Sequence, residues 1–159
     1  MLKVKLVTVG TLKEDYLRAA AAEYEKRLGA FCRFELVSLK EERLGDSPSQ
    51  NEIKAALERE ATRIIEQISS SAFCVALCVE GKQLSSEELA EKIEDISMEK
   101  SEICFVIGSS FGLSDTVKQR ADMRLSVSKL TFPHQLMRVI LLEAIYRAFN
   151  IQRGTKYHK

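Results

Sequence analysis

Hydrophobic and polar positions along this chain switch repeatedly between a strand-like and a helix-like period, and the switches mark out an ordered series of elements. Lys3 to Val9 reads as a strand. From Lys13 to Leu28, residues Tyr16, Ala20, Tyr24 and Leu28 recur every four positions, which predicts a helix with these residues on one face. Arg33 to Leu39 reads as a second strand, and the polar stretch Glu41 to Ser49, with Gly45 and Pro48, as the longest loop. Ser49 and Glu52 have the spacing at which a hydroxyl and a carboxylate each satisfy an orphan amide of the other residue. This capping box predicts a helix from about Gln50 to Ile68, ended by Ser69-Ser70-Ser71.

Phe73 to Val79 is apolar without a break and partly β-branched, as a strand covered on both faces reads. Ser85 with Glu88 repeats the capping box for a helix ending near Met98. Ile103 to Ile107 is another buried strand, Leu113 or Ser114 opens a short helix through Arg120, and Met123 to Ser126 reads as the last strand. From Pro133, whose missing amide would be an orphan in a first helical turn anyway, an apolar helix runs to about Asn150. This alternation predicts an α/β fold with a parallel sheet. The last helix is apolar most of the way round, with Leu136, Val139, Ile140, Ile145, Tyr146 and Phe149 and, between them, Leu141, Leu142 and Ala144. A helix of that kind is buried on more than one side. A two-fold dimer would cover it; a helix central to one protomer is the alternative.

A chain of 159 residues with 45% hydrophobic content predicts one globular domain over residues 1–159. No stretch approaches bilayer length, and Met1-Leu2-Lys3-Val4-Lys5 lacks the apolar core of a signal peptide, so cytoplasmic residence without a membrane partner is expected. Cys32, Cys74, Cys78 and Cys104 form no Cys-x-x-Cys pair and read as small buried hydrophobes. With only His134 and His158 besides, no metal site is expected. The net charge of +1 is uneven: from Lys129 onward six basic residues face Glu143 alone, which leaves −4 for the rest. Such asymmetry suggests an anionic partner near the C-terminal region.

Two small-residue turns stand out, Ile107-Gly108-Ser109-Ser110-Phe111-Gly112 and Leu125-Ser126-Val127-Ser128-Lys129-Leu130-Thr131-Phe132-Pro133-His134. Neither has the Gly-Lys-Ser/Thr of a phosphate loop or the three spaced glycines of a dinucleotide site. They suggest a cofactor pocket built from backbone. The stretch from Phe105 to Gly108, the Leu130-Thr-Phe-Pro-His134-Gln-Leu-Met-Arg138 block, Glu143-Ala-Ile-Tyr-Arg147 and the ending Gly154-Thr-Lys-Tyr157-His158-Lys159 resemble the knotted SPOUT methyltransferases. Within these the resemblance is to the small bacterial ribosomal RNA large subunit methyltransferase H family. It extends over essentially the whole chain, through Val9-Gly10-Thr11-Leu12-Lys13 and Glu23-Tyr24-Glu25-Lys26-Arg27-Leu28. Ser109 departs from the Ile-Gly-Gly usual in that family, and a positive φ there would strain a serine.

The resemblance implies a C-terminal deep trefoil knot, a homodimer, and S-adenosylmethionine held by Leu77, Gly108, Val127, Ser128, Lys129, Leu130, Thr131 and Phe132. It implies methylation at N3 of a pseudouridine in large-subunit (23S) ribosomal RNA, on the assembled ribosome. That imide nitrogen must lose a proton, so a base or a cation stabilising the anion is wanted. His134 can accept a proton or merely cap or pack at the start of its helix, and Arg138, one turn on, can donate to a uracil carbonyl or a phosphate, or pair with a residue such as Glu143. Tyr157 and His158 suit contact with a flipped-out base, and Arg147, Arg153, Lys156 and Lys159 suit phosphates. Two other classes stay open: a knotted methyltransferase acting on transfer RNA, and a catalytically inactive RNA- or ribosome-binding homologue.

Overall fold

Five strands and five helices alternate through residues 1–159 of the computed structural model: β1 (Lys3–Val9), α1 (Asp15–Leu28), β2 (Arg33–Leu39), α2 (Gln50–Glu66), β3 (Phe73–Gln83), α3 (Ser86–Glu99), β4 (Glu102–Ile107), α4 (Asp115–Arg120), β5 (Met123–Ser126) and α5 (His134–Gln152). The strands form one sheet in the order β2-β1-β4-β3-β5, with every pairing parallel. Both capping boxes form: the Ser49 and Ser85 hydroxyls accept from the amides of Glu52 and Glu88 at 3.1 and 3.0 Å, and the glutamates return the bond. These are contacts within four residues, so the local sequence suffices to set them.

Side chains that alternate along the strands feed two cores, one on each face of the sheet. Helices α1, α3 and α5 cover Val4, Leu6, Val75, Ile103, Phe105 and Leu125. Helices α2 and α4 cover Val7, Val9, Cys74, Ala76, Cys104 and Val106. All four cysteines are free and buried. Burial pushes the thiols of Cys32 and Cys74 up to about 11 and that of Cys104 to about 12, as expected of inert core residues. No helix is long and apolar enough to cross a membrane, and no group of three or more His, Cys, Asp or Glu side chains is arranged to hold a metal.

Helix α1 departs from the sequence expectation. It begins at Asp15 rather than Lys13, because Arg18 donates to the carbonyls of Leu12 and Lys13 at 2.8 and 2.9 Å and holds them outside the helix. Its buried residues are Leu17, Ala21 and Leu28, while Tyr16 is 70% exposed. A strict four-residue repeat drifts about 40° per step around a helix of 3.6 residues per turn, so Tyr16 and Leu28 cannot share a face. Helix α5 lies between α1 and α3 in one layer, burying Leu141, Leu142, Ile145, Ala148 and Phe149. Flanking helices of the same chain therefore take up much of the apolar surface that the sequence assigns to a partner. Leu136 stays exposed, with Val139, Ile140 and Ala144 half-buried.

Strand β3 outruns its expected end at Val79 by four residues. After an irregularity, Lys82 and Gln83 pair with Leu125 and Ser126, although Leu125 already pairs with Leu77. Two segments of β3 thus pair with β5. A side chain at Gly81 would place its Cβ 2.7–2.8 Å from the backbone of Arg124, Leu125 and Ser126, so this crossing requires glycine.

Candidate active site

A cavity of about 610 Å³ opens at the carboxyl ends of β4 and β5 and beside residues 77–79 of β3, on the side where ligands of open parallel sheets bind. Its first wall is the turn after β4. There a Cβ on Gly108 would lie 2.2 Å from the Gly112 carbonyl oxygen, and the Gly112 amide donates to the Ser109 carbonyl at 2.8 Å with Gly112 at φ +90°. The positive φ that sequence reasoning feared for Ser109 falls on Gly112 instead; no non-glycine residue has one. Ser109 is buried, and its hydroxyl donates to Glu60 Oε1 at 2.9 Å while Glu60 Oε2 accepts from the Glu42 amide at 2.9 Å. The serine therefore satisfies a buried carboxylate that also anchors the 40–45 loop.

The second wall is the loop from β5 to α5. The Ser126 hydroxyl donates to the Ser128 carbonyl at 3.1 Å, and the Leu130 amide donates to the Ser128 hydroxyl at 3.0 Å. These bonds curl the loop and leave Leu130 71% exposed at the cavity mouth. Of the expected cofactor residues, Leu77, Gly108, Val127, Ser128, Leu130, Thr131 and Phe132 line the cavity; Lys129 is exposed and does not. The two turns singled out in the sequence also supply Ser110 and Pro133 to the wall, whereas sequence reasoning missed Cys78, Val79 and Met137, whose place there depends on the β3–β5 pairing and on the first turn of α5. No lysine, arginine, aspartate or glutamate lines the cavity. Such a lining suits a ligand with rings and few charges, and it offers nothing to neutralise phosphate.

His134, the first residue of α5, also lines a second opening, a groove of about 740 Å³ running along Gly10, Thr11, Lys13, the 38–45 segment, Phe111 and Gln135. The helix has no side-chain cap, so the capping role considered for His134 is not taken up. The point where a Cβ on Gly10 would stand is 3.4 Å from Glu41 Oε2 and 3.9 Å from His134 Nε2, so both groups converge on the Gly10 turn.

The family model described as a predicted SPOUT methyltransferase matches residues 2–158. The chain belongs to the SPOUT methyltransferases. It is 50% identical over 159 residues to the ribosomal RNA large subunit methyltransferase H of Streptococcus thermophilus (strain ATCC BAA-491 / LMD-9), covering 99% of this chain and all of that one. A protein of the same description from Bacillus pumilus (strain SAFR-032) is 46% identical with the same coverage. The solved structure of a probable methylase family protein from Haemophilus influenzae Rd KW20 superposes with a TM-score of 0.56 at 16% identity, over 98% of this chain and 70% of that one, and so shares the fold. SPOUT membership implies a knotted C-terminal chain.

Among the remaining residues expected to act in this SPOUT protein, Arg138 is only 4% exposed and lines neither opening. Its Nη2 donates to the Gly10 carbonyl at 2.9 Å, its Nε has no partner, and it walls a small cleft with Thr11, Glu25 and Ser38. Burial lowers its pKa, and the neighbouring Glu25 partly opposes that shift. The alternative pairing with Glu143 does not occur, because Glu143 Oε1 accepts from Arg147 at 2.6 Å and from the Tyr157 hydroxyl at 3.1 Å. Tyr157 packs edge-on against Tyr146, and His158 Nε2 lies 2.7 Å from Glu87 Oε1. Arg153 lies over the Phe31 ring, while Lys156 and Lys159 are exposed. The tail thus docks at residues 143–147, which lie 9 to 13 positions beyond His134, about 14–20 Å along the helix, and none of it lines the cavity of its own chain.

Proposed function

We propose that this SPOUT methyltransferase transfers the methyl group of S-adenosylmethionine to N3 of a pseudouridine in large-subunit ribosomal RNA on the assembled ribosome, in the cytoplasm and as a homodimer. The observation that carries the reading is full-length identity of 46–50% to proteins described as ribosomal RNA large subunit methyltransferase H. The cavity fits the cofactor. Its walls are apolar side chains and turn backbone without a fixed cation, which suits an adenosine and tolerates a positively charged sulfonium. Leu77, Gly108 and the 127–132 loop would hold it. When bound, S-adenosylmethionine supplies an already activated methyl group, so the protein has to hold donor and acceptor in line and deprotonate the acceptor.

His134 stands where the cavity and the groove meet, and it takes the imide proton. Arg138 acts as a positioning residue rather than a donor to the base: its bond to the Gly10 carbonyl ties the β1–α1 turn to the start of α5 beside His134. The exposed edge of α5 at Leu136 belongs to the dimer surface. Arg147, Arg153, Lys156, Tyr157 and His158 engage RNA from outside the cavity of their own chain.

The test is transfer of labelled methyl from S-adenosylmethionine to ribosomes lacking the modification, with transfer RNA and pseudouridine-free ribosomes alongside. Label confined to pseudouridine-containing large-subunit RNA is the expected result. Label on transfer RNA alone would move the substrate, and no label together with no cofactor binding would overturn enzymatic activity.

A further inference from the structure

The groove beside the cavity has the opposite chemistry. Lys13, Lys40 and Arg43 are exposed on its walls, and none makes an ion pair. Of its two acids, Glu42 is already held by Arg63 at 2.9 Å and Arg59 at 3.4 Å, and the Arg63 bond draws its carboxyl below the usual range. That leaves Glu41 as the only uncommitted carboxylate against three cations. Phe111, at the tip of the turn after β4, is 47% exposed and faces this groove rather than the cavity. A large aromatic ring left in water beside unpaired cations is the combination that binds a single-stranded nucleic acid, with bases on the ring and phosphates on the cations.

The groove is also braced. Glu60 joins the Glu42 amide to the Ser109 hydroxyl and so links the groove's outer loop to the Phe111 turn. The Lys13 amide donates to Gln135 Oε1 at 3.1 Å, and Arg138 holds the Gly10 carbonyl, so the inner wall is fixed to α5. A surface held from two sides loses little freedom on binding. The C-terminal basic residues contrast with it, since Arg147 is engaged by Glu143 and Arg153 by the Phe31 ring.

We propose that this groove is the acceptor-strand site: a single-stranded segment of the substrate RNA lies along it, a base stacks on Phe111, phosphates meet Lys13, Lys40 and Arg43, and His134 is the wall shared with the methyl donor. The inference rests on the ribosomal RNA reading above. It assigns RNA binding to the β1–α1 and β2–α2 loops, at some distance from the C-terminal tail.

The experiment uses the full-length protein with large ribosomal subunits lacking the methyl group. In the wild type, bound subunits should shield Lys13 and Lys40 from amine-acetylating reagent, and unchanged labelling of both would overturn the site. Replacing Lys13, Lys40 and Arg43 together by alanine should flatten the salt dependence of binding, by a logarithmic slope of about 2 for three single-strand phosphates. S-adenosylmethionine affinity should not move. Phe111→Ala should weaken subunit binding by about 5- to 150-fold and raise KM, with Phe111→Trp restoring it, the pattern expected of stacking. A photo-crosslinker at position 111 should label RNA; labelling of a ribosomal protein alone would overturn the proposal. Unaltered binding in both variants would overturn it too. If the wild type methylates nothing yet these residues still govern RNA binding, the substrate reading fails and the groove stands.

Discussion

The cavity and the groove beside it meet at His134 and are built from different materials. The cavity is made of glycine turns and apolar side chains with no fixed charge, whereas the groove carries three unpaired cations and an exposed phenylalanine. On the proposed reading, the difference gives a chain of this size places for two unlike ligands without a second domain. A charged sulfonium donor is best kept from competing cations, and a phosphate backbone needs them, so the two linings must not mix. One residue at the first turn of α5 can then touch both.

The comparison can be broken at the shared residue, where the largest effect is expected. His134→Ala should lower turnover by roughly 10²- to 10⁴-fold while leaving S-adenosylmethionine and RNA affinities nearly intact; single-turnover methyl transfer and calorimetry check both parts. On the cavity side, Gly108→Ala puts a Cβ into the Gly112 carbonyl, so S-adenosylmethionine affinity should fall on the order of 100-fold. Subunit binding through the groove should fall less, because Phe111 shares that turn but Lys13, Lys40 and Arg43 do not. Arg138→Ala removes a buried guanidinium from the Gly10 carbonyl and should cost about 2–3 kcal/mol in denaturant unfolding. It should reduce turnover more than it reduces cofactor affinity, because Arg138 lines neither opening.

Smaller effects sharpen the contrast. Ser109→Ala leaves Glu60 Oε1 without its donor in the interior and should cost about 1–3 kcal/mol of stability, loosening the brace common to both sites. Far from both sites, burial and then the hydrogen bond to Glu143 push the Tyr157 hydroxyl up to about 12. Its folded-state value exceeds the ordinary 10, so tail docking is fully stabilised below about pH 10 and weakens as the pH rises towards 12. A tyrosinate absorbance titration should show one late-titrating group that Tyr157→Phe removes.

Legibility in the sequence followed the range of the interactions. Ser49 with Glu52 and Ser85 with Glu88 marked two helix starts to the residue, because both partners of each bond lie within one turn. The bounds of β1, β2 and β5 were likewise readable from their apolar runs. Helix α1 was misplaced by two residues because the side chain that delays it, Arg18, acts on carbonyls outside any pattern of apolar periodicity. Seven of the eight expected cofactor residues line the cavity, and they were named through the family's motif, since an ordinary core leucine at 77 would give the same local pattern. The groove left no signal, because Lys13, Lys40 and Phe111 come from three separate loops.

By itself, then, the sequence determined the order and type of the elements, the parallel α/β class and the family, because periodicity, capping and motif are properties of neighbouring residues. Only the tertiary structure decided that β3 runs on past Val79 across β5, that Ser109 closes a buried bond to Glu60, that Arg138 turns inward to Gly10, and that His134 borders two linings of opposite character. Those outcomes depend on groups brought together from 43 to 128 positions apart in the chain, and one-dimensional spacing carries no record of such meetings.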